Sequence, residues 1–191
     1  HNLTYQDLFS AVIIGNQHFF KKTGDYHWFF KKMIPTYKEG SFLFVHAGID
    51  DHISSELYRF GAQHVNENFD REKKKNLFGF YYGPYANIVR TKYRKTDKSF
   101  SIKGREHLAD MGLHMIVHGH VNNYEGQRIT STQKMLHLQG DVTIDRGSRK
   151  REDLLGVGAG ATMISPTGVI LGICTDYPSV KVLTPDTIQN G

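Results

Sequence analysis

Two short apolar runs constrain this chain more than any other feature. "SFLFV" (residues 41–45) and "HMIV" (residues 114–117) each lead into a histidine beside small residues, as His46-Ala47-Gly48 and His118-Gly119-His120. Runs of this length are too short for helices. Their apolar character is continuous rather than alternating, so they read as strands buried on both faces. Such strands need cover on both sides of their sheet, which points to a layered α/β fold.

The rest of the chain supports that reading. Leu3, Leu8, Val12, Phe19 and Phe20 recur at helical spacing over residues 3–22, and Gly24 follows as a stop. Residues 25–34 predict a second helix ended by Pro35. Residues 53–64 predict a third. Residues 66–103 read as a long connection with short helical pieces, first the polar charge run "NENFDREKKKN" and then a stretch crowded with aromatic and basic side chains. "GREHLADMG" predicts a short helix closed by Gly112. From residue 134 the pattern turns to strands: "KMLHL", "DVTID", "ATMIS", "GVILGICTDY" and "VKVLT", with "SPTG" as a hairpin turn. "GVGAG" (residues 156–160) lacks the GxGxxG spacing and following helix of a dinucleotide site, so it reads as a loop or a strand edge.

With 191 residues, 39% of them hydrophobic, the chain suffices for one well-packed domain. A net charge of +5 is compatible with an anionic partner without demanding one. The single cysteine, Cys174, excludes an internal disulfide framework and cysteine-rich zinc sites, and fits a reducing compartment such as the cytoplasm. No apolar run approaches the ~18–20 residues that span a bilayer.

Histidines at the carboxyl ends of buried strands sit where α/β folds place ligands and catalytic groups. If the two strands are neighbours, His46 and His120 meet. Neutral imidazole is a common metal ligand, yet two ligands do not make a metal site, and an ordinary hydrogen-bonded role for each histidine stays open.

"FVHAGI", then "IVHGHV", then "VTIDRGS", followed by a closing run of strands, resembles the calcineurin-like metallophosphoesterase superfamily, and most of all its bacterial phosphoprotein-phosphatase-type members. The matching motifs are His46-Ala47-Gly48, Gly119-His120 and Ile144-Asp145-Arg146-Gly147. The resemblance implies a layered β-sandwich flanked by helices, with residues 1–191 forming the C-terminal part of the domain and the N-terminal portion missing. It implies two divalent transition-metal ions, Mn foremost with Fe, Zn or Ni as alternatives, and a metal-bound hydroxide attacking a phosphorylated protein or small phosphomonoester. His46 and His120 would bind metal, and Asp145 would orient a ligand histidine from behind. Arg90, with Arg94 as second choice, would steady the phosphate through a bidentate guanidinium. His1 would protonate the leaving oxygen. The family's first two motifs are absent, so this chain alone would lack part of the active site. Asn122 stands where broader relatives carry a second histidine. No membrane partner is expected.

Two other readings remain. One is a relative of that family that has lost activity. The other is a non-catalytic phosphate- or nucleic-acid-binding module using Tyr81, Tyr82, Tyr85, Arg90, Tyr93 and Arg94 for stacking and phosphate contacts. The weak basic excess outside residues 80–105 argues against nucleic acid.

Overall fold

The computed structural model describes residues 3–90, 99–123 and 125–184, and the chain divides into two compact units, residues 1–34 and 35–191. In the first unit, α1 (Tyr5–Gly15) starts at Thr4. The Thr4 hydroxyl accepts the Asp7 amide while the Asp7 carboxylate accepts the Thr4 amide, a reciprocal cap that satisfies two otherwise orphaned donors. A π turn (Asn16–Phe20) comes next, and α2 (His27–Lys32) folds back so that Phe30 packs on Phe19 at 4.9 Å between ring centroids. The expected Gly24 stop and the helix end before Pro35 are both present.

The second unit is built on a mixed five-stranded sheet of order β1-β2-β3-β5-β4, comprising β1 (Thr36–Glu39), β2 (Phe42–Val45), β3 (Met115–His118), β4 (Arg128–Thr132) and β5 (Met135–Gln139). The central strands β2, β3 and β5 are parallel, and the edges β1 and β4 are antiparallel to their neighbours. One face carries Leu43, Ile116 and Met135, which pack with Ile53, Leu57 and Val65 of α3 (Asp51–Lys75) and Leu108 of α5 (Ile102–Asp110). The other face carries Met115 and Leu138. They share a core with Ile170 of β7 (Ile170–Cys174), in an antiparallel sheet completed by β6 (Gly160–Ile164) and β8 (Lys181–Leu183). The layers are therefore helices, mixed sheet and antiparallel sheet, and each buried Leu, Ile or Met contributes roughly 1.5–3 kcal/mol. The α/β class with strands buried on both faces holds, as does the hairpin turn between β6 and β7, where Gly168 donates to the Ser165 carbonyl.

Two expectations are corrected, and two edge strands are added. The polar run from Asn66 is not a connection but the second half of α3, laced by Asp70 with Lys73 at 2.8 Å and with Lys74 one turn on. α3 is broken at Gly61, whose φ of 82° and ψ of 171° are open only to glycine. The connection proper begins only after Lys75, and contains α4 (Leu77–Tyr82) and a 3-10 turn (Tyr85–Ile88). The "DVTID" stretch is not a strand. Its carboxylates bind backbone amides instead, and it leads into α6 (Arg146–Arg151). Edge strands β1 and β4 are additions that the apolar pattern did not signal. β1 is shielded by Asn66 of α3, which accepts the Thr36 amide and donates to its carbonyl. Among the described residues no helix is long and apolar enough to cross a membrane.

Candidate active site

The carboxyl ends of β2, β3 and β5 lie side by side because the three strands are parallel and in register, with Leu43 opposite Ile116 and Ile116 opposite His137. Each strand delivers one polar residue just past its end: His46 after β2, His120 after β3 and Asp141 after β5. The Gly119 amide donates to the His46 carbonyl at 2.9 Å, and the Gly140 amide to the His118 carbonyl at 2.8 Å, so parallel pairing runs into the loops and holds them together. Together these segments line a pocket of about 340 Å³ formed by Phe44–His46, Val117–His120, Gly140 and Asp141. The site lies at the strand ends, where α/β sheets bind ligands.

His46 Nε2 and His120 Nδ1 are 3.1 Å apart, with ring centroids at 4.9 Å. His120 stands in the left-handed region at φ 66°, which costs a non-glycine residue about 1–2 kcal/mol. Asp141 compensates. One of its oxygens accepts the His120 amide at 3.1 Å and the other accepts the Thr143 amide at 2.8 Å, and Thr143 is itself left-handed at φ 55°. One carboxylate thus secures two unusual backbone conformations. The His46 ring is held below the ordinary histidine value, first by burial and second by repulsion from His120, with the Asp141 charge acting in the opposite direction.

The sequence-predicted residues fare unequally. His46 and His120 are brought together. Asp141 carries the signal of an acid beside a glycine after an apolar run, but it meets His120 only through the pairing of β3 with β5. Asp145 does not stand behind a histidine: its oxygens accept the Gly147 and Ser148 amides as the cap of α6, and those bonds lower its pKa. Arg90 is buried rather than solvated. Its Nε donates to the Tyr81 carbonyl at 3.1 Å and its guanidinium sits 5.8 Å from the centre of the Tyr81 ring. It does not line the pocket, but the Ile88 carbonyl two residues earlier accepts the Ala47 amide at 2.8 Å, which ties its segment to the residue after His46. His1, Tyr93 and Arg94 lie outside the described residues. Cys174 ends β7 at 7% exposure, away from the pocket lining, and its Sγ accepts the Asp176 amide at 3.5 Å.

No protein-family model matches the sequence. No curated protein matches it. Solved structures do. A cold-active protein-tyrosine phosphatase of a psychrophilic Shewanella species is 15% identical, with a TM-score of 0.53 over 96% of this chain and 54% of that one. A second structure of a cold-active protein tyrosine phosphatase is 16% identical, with a TM-score of 0.50 over 85% and 46%. The chain spans about half the length of these proteins. At this identity the likeness establishes the fold.

Two expectations are overturned here. The calcineurin-like metallophosphoesterase assignment gives way to a likeness in fold to structures of cold-active protein-tyrosine phosphatases. The expectation of two divalent metal ions, manganese or otherwise, is corrected as well. Among the described residues no group of three or more His, Cys, Asp and Glu side chains comes together to hold an ion. His46 and His120 meet as a hydrogen-bonded pair.

Proposed function

We propose that this chain carries a phosphoester-hydrolysing site of a phosphatase acting on a phosphorylated protein or a small phosphomonoester, with His46 and His120 at its centre. The observation that carries this reading is the 3.1 Å contact between the two imidazoles in a pocket at the ends of adjacent parallel strands. The likeness in fold to protein-tyrosine phosphatases supports it.

His46, whose own protonation is disfavoured, accepts the Nδ1–H of His120. That leaves His120 Nε2–H to protonate the oxygen that departs as the P–O bond breaks, general acid catalysis worth roughly 10²–10⁴-fold. A water supplies the incoming oxygen and returns a proton to the solvent. Arg90 does not line the pocket, and its proposed part is to steady the loop beside His46, to which its segment is bonded through the Ile88 carbonyl. A thiolate route is disfavoured, because a reactive cysteine needs an accessible, electropositive setting and Cys174 is buried in β7.

The test is hydrolysis of p-nitrophenyl phosphate and of phosphotyrosyl and phosphoseryl peptides by the full-length protein, beside His46→Ala and His120→Ala. Turnover that both substitutions abolish is expected. Wild-type turnover in either folded variant would overturn the reading.

A further inference from the structure

We propose that Arg149 and Asp176 are positioning residues for His120, acting through the backbone of Val142 and Thr143 and the carboxylate of Asp141. The inference rests on His120 being the proton donor of the proposed phosphatase site. Neither residue lines the pocket. The Arg149 and Asp176 side chains are 6% and 4% exposed and form an ion pair inside the fold. A buried pair of this kind depends on further hydrogen bonds to its remaining donors and acceptors, and both Nη groups of Arg149 find them while its buried Nε does not.

Those bonds explain its placement. Arg149 Nη1 donates to the Val142 carbonyl at 3.1 Å and to the Thr143 carbonyl at 2.9 Å, and Nη2 reaches the Leu155 carbonyl as well as Asp176. Asp176 in turn accepts the Val157 amide at 3.0 Å and the Gly158 amide at 3.1 Å. The "GVGAG" stretch is therefore a collar wrapped around the ion pair. A Cβ at Gly158 would lie 2.4 Å from both Arg149 Nη1 and the Thr143 carbonyl, so only glycine lets the loop close there.

The line from pair to ring is short. Arg149 grips Thr143 by its carbonyl. The Thr143 amide orients one oxygen of Asp141, and the other oxygen holds the His120 amide. Left-handed backbone at Thr143 and His120 persists only where neighbours over-determine it. Arg149 holds Thr143 by its carbonyl while Asp141 holds it by its amide. A small shift there moves Asp141 and swings the His120 ring off His46, and misplacement by about 1 Å suffices for roughly 10²-fold loss of rate.

The test uses Arg149→Lys and Asp176→Asn in the full-length protein, with circular dichroism reporting folding. Each folded variant is expected to lose at least about tenfold in kcat with KM within twofold, and to shift the His120 ring resonances by NMR while those of His64, which lies on α3 beside Asn68 and does not line the pocket, stay put. Wild-type kcat with unmoved His120 resonances overturns the proposal. Should both variants fail to fold, amide exchange on the unmodified protein decides. His120 and Thr143 are expected to open together with Val157 and Gly158, and exchange at His120 independent of Gly158 overturns the coupling. If the wild type hydrolyses no phosphoester, the functional reading fails, while the His120 resonances still report whether Arg149 positions the ring.

Discussion

His46 Nε2 faces His120 Nδ1 at 3.1 Å, so one of the two nitrogens carries a hydrogen and the other offers a lone pair. Adding a second proton to the pair sets N–H against N–H. Burial and the neighbouring His120 both lower the His46 value, so that second proton arrives below the ordinary histidine value of 6.5. Activity is expected to fall on the acid side, below pH 6.5, as His46 charges. Stability has the same sign on the acid side. The unfolded chain binds the His46 proton more readily than the folded one, so stability rises with pH through this window and is lost as pH falls through it. NMR titration of the His46 ring checks the direction, and a value at or above 6.5 contradicts it.

Replacement of His120 by asparagine separates chemistry from backbone. Asparagine tolerates the left-handed conformation observed at φ 66° but offers no imidazole. His120→Asn is expected to keep its denaturation midpoint close to wild type while kcat falls roughly 10²–10⁴-fold. Urea melts beside steady-state kinetics read both quantities, and retention of kcat would remove His120 from the reaction.

Asp141→Ala strips the acceptor from two amides, those of His120 and Thr143. Hydrogen bonds to a charged group are worth about 1.5–3 kcal/mol each where partly buried, and solvent reaches one side here, so a loss of about 2 kcal/mol in urea denaturation is expected. Asp145→Ala behaves differently. It uncaps α6 and lowers the midpoint, and Asp145→Ser restores it because serine caps as well. Failure of serine to rescue would show that Asp145 does more than cap.

The strands that carry the site were legible because burial on both faces leaves an uninterrupted apolar run, as in Phe42–Val45 and Met115–His118. The meeting of His46 with His120 followed from that same pattern. Asp141 was harder to see, since it reaches the His120 amide only after β5 has paired with β3, a non-local event that no local spacing encodes. "DVTID" misled because its β-branched alternation outweighed its two aspartates, whose side chains compete for backbone amides and draw the chain out of the sheet. In the charge run after Asn66, the spacing of Asp70 to Lys73 and Lys74 was the helical signal, masked by the polarity of the segment.

The break in α3 makes the last prediction, and its sign is the informative part. In an uninterrupted helix, replacing glycine by alanine gains up to about 1 kcal/mol, because glycine loses more backbone entropy on folding. Gly61 is not in helical geometry: its φ of 82° and ψ of 171° belong to a region nearly closed to residues with a Cβ. Space is not the obstacle, since a Cβ there would meet no atom within 4 Å. The penalty is therefore purely one of backbone strain, about 1–3 kcal/mol. The residues on either side cannot rotate to relieve it, because Leu57 before the break and Val65 after it are both buried against the sheet. Straightening α3 would pull one of them out of the core. Gly61→Ala is accordingly expected to lower the urea midpoint rather than raise it, with the slope of the transition unchanged. A raised midpoint would mean that α3 runs straight through residue 61 in solution.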